Sequence, residues 1–213
     1  DLGIAFDGDG DRVLLVGADG ETICGDRMIG IAARYLSEIG ALTPPRVVTT
    51  VMSNLGLETH LREHDIEILR TPVGDRHVAQ TMADTEALLG GEPSGHIIFS
   101  EYSPTGDGIL TAVKLLEIAH TQGIDLATLA RSIPLFPQIL RNVSCALPAQ
   151  ATENAQVQRI IERARRQLDG DGQILVRPSG TQPMVRILVE TPDEADGARI
   201  AEEIETALRG IER

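Results

Sequence analysis

Asp7-Gly8-Asp9-Gly10-Asp11-Arg12, set between the apolar runs 2–6 and 13–16, is the stretch from which the rest of the chain is read. Three carboxylates at alternate positions, separated by glycines, form a turn that can fold several oxygens inward. Hard divalent cations take oxygen ligands, and Mg²⁺ keeps waters or phosphate oxygens beside only a few carboxylates. Glycine supplies the positive φ that such convergence needs. Arg12 beside the acids suits a site holding both a cation and a phosphate, since a guanidinium grips phosphate bidentately. A solvated acidic turn is the competing reading, because Asp-Gly between apolar strands is a common hairpin signal. An EF-hand does not fit: its loop needs Gly sixth and Glu twelfth, where this chain has Arg12 and Ala18.

Outward from the turn, strands at 2–6 and 13–17 lead through Ala18-Asp19-Gly20 to a helix over about 27–39, capped by Asp26 and closed by Gly40. A strand at 46–51 follows, then a helix over 54–64 capped by Ser53, a strand at 66–69 and a helix from Gly74-Asp75 to about 83. Short strands at 87–89 and 96–99 enclose the loop 90–95, and helices follow at about 107–120 and 126–131. Strands alternating with helices give a layered α/β domain with a largely parallel sheet. Ser132-Ile133-Pro134-Leu135-Phe136-Pro137 breaks the rhythm, since its two prolines exclude a continuing helix. Beyond it come a strand (138–147), a helix (152–168), two strands (173–177, 184–190) and a helix (194–208). That order describes a small α+β domain with helices on one face of an antiparallel sheet. The expected organisation is therefore 1–20, 21–132 and 133–213, the first piece being the end of a preceding domain.

A net charge of -13 argues against nonspecific nucleic-acid binding, so a phosphate ligand needs local basic pockets within an acidic field. With aromatics at 2% and no Trp, the cores must be built from Ile, Leu, Val and Ala. No apolar run approaches membrane-spanning length, and no membrane partner is expected. Cys24 and Cys145 match no metal spacing and read as reduced thiols of a cytoplasmic protein. The chain opens at Asp1, without Met, directly into a strand, which reads as a cut through a domain. The expected consequence is an open edge on the apolar strands 2–6 and 13–16, either mobile or recruiting a second copy.

Three further loops carry candidate chemistry. Arg177-Pro178-Ser179-Gly180-Thr181-Gln182-Pro183, with Arg186 beyond it, holds the inventory of an anion nest, and equally that of a polar hairpin turn. Gly90-Gly91-Glu92-Pro93-Ser94-Gly95-His96 presents a carboxylate, a hydroxyl and an imidazole able to orient a polyol, or simply connects two strands. Thr71-Pro72-Val73-Gly74-Asp75-Arg76-His77 sets Arg76 on the first turn of a helix, whose amino end favours anions. His60 and His64 lie one helical turn apart, but His-Leu-Arg-Glu-His is not a zinc-protease order.

Taken in this order the four loops, with Thr105-Gly106-Asp107-Gly108 and Phe136-Pro137-Gln138, resemble the α-D-phosphohexomutase family, nearest to its branch acting on glucosamine phosphates. The resemblance spans essentially the whole chain. It implies the end of a second, metal-binding domain, a layered mixed α/β third domain for sugar recognition and a phosphate-binding α+β fourth domain. It also implies Mg²⁺ on Asp7, Asp9 and Asp11, with Arg12 touching the transferring phosphate. Glu92 and Ser94 would bind sugar hydroxyls, Arg76 the substrate, and His96 would carry a proton. Arg177, Ser179, Gly180, Thr181 and Arg186 would grip the phosphate that is not reacting. Gln182 stands where the family pattern has Glu.

The implied reaction interconverts glucosamine 6-phosphate and glucosamine 1-phosphate through a phosphoserine and a 1,6-bisphosphate. Phosphomannomutase or phosphoglucomutase activity is the alternative, because the Gly-Glu-x-Ser-Gly loop is shared in form. The family's serine lies in Ser/Thr-Gly-x-Ser-His-Asn-type sequence, which these 213 residues do not contain. The chain alone is therefore expected not to turn over, and as an isolated polypeptide it reads as a sugar-phosphate-binding module.

Overall fold

The acidic turn joins Gly3–Phe6 (β1) to Val13–Val16 (β2) as an antiparallel pair, and Thr22–Ile23 (β3) adds a third strand on β2. β3 escapes sequence reading because two residues show no periodicity. Side chains alternate across the pleat, so Val13 and Leu15 enter the core with Ile23, whereas Ile4, Phe6 and Leu14 remain exposed. The computed structural model describes residues 1–211.

Next along the chain are Gly25–Glu38 (α1), Arg46–Thr50 (β4), Leu55–Glu63 (α2), Glu67–Thr71 (β5), Asp75–Thr85 (α3), Leu89–Gly91 (β6), Ile97–Phe99 (β7), Gly108–Gln122 (α4) and Leu126–Arg131 (α5). The strands form a sheet of order β5-β4-β6-β7, parallel except for β7, which runs antiparallel on β6. The consecutive valines of β4 show why both faces are covered. Val47 joins a core with Met28 and Ile29 of α1, Leu57 of α2, Leu115 of α4 and Leu129 of α5. Val48 packs on the opposite side with Val78 and Met82 of α3 and Ile98 of β7. Each such side chain, fully buried, contributes roughly 1.5–3 kcal/mol.

Two expected caps are displaced by one or two residues. Asp26 lies inside the first turn of α1, buried, and its Oδ2 accepts from the Asn54 amide at 3.1 Å. Asn54, not Ser53, caps α2 through a bond from the Gly56 amide. α1 begins early because Gly25 lies tight against the 92–93 backbone, its amide donating to the Pro93 carbonyl at 3.0 Å. Gly90 and Gly91 belong to β6, not to a loop, and leave room for Met82 and the His96–Ile97 backbone.

The chain divides into two compact units, the first Asp1–Leu135, the second starting at Phe136. The second contains Gln138–Ser144 (β8), Pro148–Glu153 (α6), Ala155–Leu168 (α7), Gln173–Pro178 (β9), Met184–Glu190 (β10) and Glu194–Ile211 (α8). Its sheet has the order β8-β10-β9, antiparallel throughout. Val185, Ile187 and Val189 of β10 meet Val157 and Ile161 of α7 and Ile200 and Ile204 of α8 in one core. β8 is shorter than its sequence suggests: Pro148 starts α6, a short helix hidden in an Ala-rich segment. Among the described residues Cys24 and Cys145 form no disulfide. Among the described residues no helix is long and apolar enough to cross a membrane.

Candidate functional site

The acidic turn is held by its own first residue. Asp7 Oδ1 accepts from the amides of Gly10 (3.1 Å) and Arg12 (3.2 Å), while Oδ2 lies 3.6 Å from the Arg12 guanidinium. Gly10 has φ 74, which lets the chain reverse within so few residues. Desolvation raises the Asp7 carboxyl, but the Arg12 amide, the Asp11 side chain, the Arg12 charge and the Gly10 amide outweigh it, leaving it below its ordinary value. One ligand atom each from Asp7, Asp9 and Asp11 lies within 4.8 Å of the others, the one such cluster among the described residues. Asp11 Oδ1 is buried without a hydrogen-bond partner. An all-oxygen donor set with one orphaned carboxylate oxygen fits a hard divalent cation. The amino end of α4 abuts the turn, the Gly108 amide donating to the Gly10 carbonyl at 3.0 Å, and its dipole favours the negative charge there.

The loop between β6 and β7 meets the turn directly. Arg12 and His96 form an antiparallel bridge, and the Val13 amide donates to the Gly95 carbonyl at 3.2 Å. Gly95 has φ 91, and a Cβ there would lie 2.0 Å from the Val13 carbonyl oxygen. Only glycine permits this approach. Glu92 and His96 close the loop on itself through a 2.9 Å backbone bond, leaving Ser94 exposed at the tip and Glu92 half-buried. Glu92 Oε1 accepts from the Gly74 amide at 3.0 Å, which ties the loop to the start of α3, where Arg76 is exposed. His96 Nδ1 sits 2.9 Å from Asp11 Oδ2, and Nε2 accepts from the Gly106 amide at 3.2 Å. Both ring nitrogens of the residue expected to carry a proton are thus occupied.

In the second unit, Arg177 and Arg186 stand directly opposite each other on neighbouring strands, both exposed. Neither guanidinium has a carboxylate partner among the described residues, although like charges so placed destabilise a sheet. The connecting turn is closed by the Ser179 amide on the Met184 carbonyl at 2.9 Å. The amides of Gly180 and Thr181 have no partner among the described residues. Two cations without a carboxylate partner beside open amides and two hydroxyls are the groups that an anion-binding surface requires.

Three of the four candidate loops therefore converge within the first unit, and the fourth stands in the second. His60 and His64 form an edge-on ring pair, centroids 4.7 Å apart, with no third ligand near among the described residues. Sequence reasoning missed the parts played by the Gly74 and Gly106 amides. The glycine-spaced Thr105-Gly106-Asp107-Gly108, with Asp107 capping α4, was the available signal for the second.

Two family models match most of the chain. Phosphoglucomutase/phosphomannomutase, alpha/beta/alpha domain III, matches residues 24–136, and the C-terminal domain of the same name matches 140–207. A phosphoglucosamine mutase of Levilactobacillus brevis is 42% identical over 208 residues, covering 98% of this chain and 46% of the relative. One from Geobacillus kaustophilus is 44% identical over 209 residues, covering 98% and 46%. The chain thus spans about half the length of the curated relatives it matches. A phosphoglucomutase/phosphomannomutase family protein of Burkholderia thailandensis superposes with a TM-score of 0.75 at 27% identity, over 100% of this chain and 47% of that one. Aspergillus fumigatus N-acetylphosphoglucosamine mutase, solved with GlcNAc-6P and magnesium, shares the fold at a TM-score of 0.80 and 19% identity, over 99% and 49%.

Proposed function

The chain belongs to the phosphoglucomutase/phosphomannomutase family, and from that premise we propose that it provides the cation-, sugar- and phosphate-binding parts of an enzyme interconverting glucosamine 6-phosphate and glucosamine 1-phosphate. The observation that carries the reading is the junction at which Asp11, His96 and the Gly106 amide meet, joining a cation-ready turn to a polyol-reading loop. The amino-sugar substrate is supported by relatives at 42% and 44% identity that bear the phosphoglucosamine mutase name.

Asp7, Asp9 and Asp11 would hold Mg²⁺. When bound, that cation offsets negative charge on a transferring phosphoryl group. Arg12, its side chain half-exposed beside Asp7, contacts the same phosphate. Glu92 and Ser94 hydrogen-bond sugar hydroxyls, and Arg76 supports the substrate from the amino end of α3. Arg177, Ser179, Gly180, Thr181 and Arg186 hold the phosphate that does not react. Phosphoryl transfer asks mainly for position and charge, so a clamp indifferent to which end of the sugar it holds suits a reaction that reverses the two ends. In this reading residues 1–20 finish a metal-binding domain, 21–132 read the sugar and 133–213 anchor phosphate.

Titration calorimetry with glucosamine 6-phosphate, glucose 6-phosphate and mannose 6-phosphate in Mg²⁺ tests the assignment. The amino sugar binds most tightly if it holds, and a preference for either neutral sugar overturns the substrate. In a coupled mutase assay the 213-residue chain shows no turnover, and turnover like that of a full-length relative overturns its role as a binding half. The apolar Ile4 and Phe6 on the exposed strand β1 support a further part of the reading, self-association through that edge. Light scattering showing only monomers at high concentration removes it.

A further inference from the structure

The chain leaves β4 to one side for β5 and passes back to the other side for β6, so the order β5-β4-β6 opens a crevice at the carboxyl ends of β4 and β6. Open α/β sheets hold ligands at such a point. Glu92 follows β6 directly and stands on one wall. Asn54, which caps α2, closes the loop after β4 on the other. The first two residues of α1 touch both walls. The Gly25 amide donates to the Pro93 carbonyl at 3.0 Å, and a Cβ on residue 25 would lie 2.0 Å from the Glu92 carbonyl oxygen. Asp26 Oδ2 accepts from the Asn54 amide at 3.1 Å. Arg70 of β5 braces the same wall, donating to the Ser53 carbonyl and to Glu58 Oε2, each at 2.9 Å. Asp26 is only 3% exposed, so it acts on a ligand through its neighbours and not by touching it.

We propose that Asp26 is a positioning residue for sugar binding: its bond to Asn54 clamps the start of α1 to the loop after β4, and Gly25 passes that position on to Glu92. The proposal rests on the reading of the 92–96 loop as the part that binds sugar. The Gly74 amide takes Oε1 of Glu92, and among the described residues Oε2 is left for a sugar hydroxyl. Where the Glu92 backbone sits against Gly25 decides where that oxygen points. Packing alone gives no reason for a carboxylate at so buried a point, since burying it costs free energy that an apolar side chain would not incur.

A double-mutant cycle on glucosamine 6-phosphate affinity, read by calorimetry of the 213-residue chain with Mg²⁺, separates positioning from general support. Asp26→Ala should weaken binding ~10-fold, the scale of one hydrogen bond to a charged group. Asp26→Asn keeps an oxygen for the Asn54 amide and should stay within about 3-fold of wild type. Because Asp26 acts through Glu92, Asp26→Ala should cost nothing further in a Glu92→Ala chain. Wild-type affinity in Asp26→Ala overturns the proposal, as do additive losses in the double variant or a loss in Asp26→Asn equal to that in Asp26→Ala. Inorganic phosphate, the probe of the arginine hairpin, should bind all variants alike, and a parallel loss there marks general damage and also overturns it. No sugar phosphate binding by the wild type, or wild-type affinity in Glu92→Ala, sinks the sugar reading itself, a separate outcome. Hydrogen exchange in the wild-type chain needs no variant to fold. A bond that supports binding is strengthened by binding, so saturating glucosamine 6-phosphate should slow exchange of the Asn54 amide ~10-fold. Exchange there unchanged by the ligand contradicts the assignment.

Discussion

The two charged loops of the molecule are built on opposite plans. The acidic turn is tied down: Asp7 takes two amides, Asp11 takes an imidazole, and the backbone is fixed to the 92–96 loop and to the amino end of α4. The arginine hairpin is left open, with Arg177 and Arg186 facing each other across the sheet and no acid between them. A cation demands several oxygens at set distances, so its ligands gain from being ordered beforehand. On the proposed reading the hairpin is a phosphate clamp accepting either end of a sugar, and such a clamp gains from long side chains still free to adjust. One loop stores its order in hydrogen bonds, and the other stores repulsion that an anion relieves.

The largest effect expected from breaking this contrast is at Asp11. Asp11→Ala should abolish saturable Mg²⁺ or Mn²⁺ binding, exceeding the ~10–100-fold that loss of an outer partner costs, while phosphate binding at the hairpin persists. Calorimetry with each ion reads both.

Next comes a pH dependence confined to the first unit. Burial, opposed by the Asn54 amide and Arg70, raises the Asp26 carboxyl from 3.8 to about 6. With the folded value above the unfolded one, the unfolded chain is the more ionised form inside that window, so stability falls as pH climbs from about 4 to about 6. Two pH units amount to at most about 3 kcal/mol, fully felt at neutral pH. Asp26→Asn should flatten that slope, read as urea midpoints at about pH 4.5 and pH 7.

A smaller effect belongs to the hairpin. Arg186→Ala should weaken inorganic phosphate or sugar phosphate binding ~10-fold, the scale of one charge-assisted hydrogen bond. The same variant should make the ligand-free protein slightly more stable, by up to about 1 kcal/mol, because a facing like charge is gone. Thermal melts with and without phosphate would show the two signs. Destabilisation without ligand would mean that the arginine has a structural partner.

The hairpin was the more legible of the two regions. Its strands are apolar runs bounded by the turn formers of 178–183, and β10 lies where the pattern of Met184–Glu190 puts it. α5 likewise matches its sequence limits, since Asp125 before Leu126 is an unambiguous cap. Where two cap-competent residues adjoin, as at Ser53 and Asn54, local sequence does not choose between them, and the buried Asp26 carboxylate accepting the Asn54 amide marks the outcome. The three acids of the turn were readable from spacing. That His96 meets Asp11 was not, because the pair is 85 positions apart and the ring is also held by the Gly106 amide, which no side-chain pattern advertises.

Titrating glucosamine 6-phosphate into the folded 213-residue chain with Mg²⁺ present bears most directly on the proposal that the loops of each unit bind sugar phosphate. The account requires saturable binding that weakens both when Arg177 is replaced by Ala and when Glu92 is replaced by Ala. Binding indifferent to either change, or no binding by a chain whose circular dichroism is native, would contradict it.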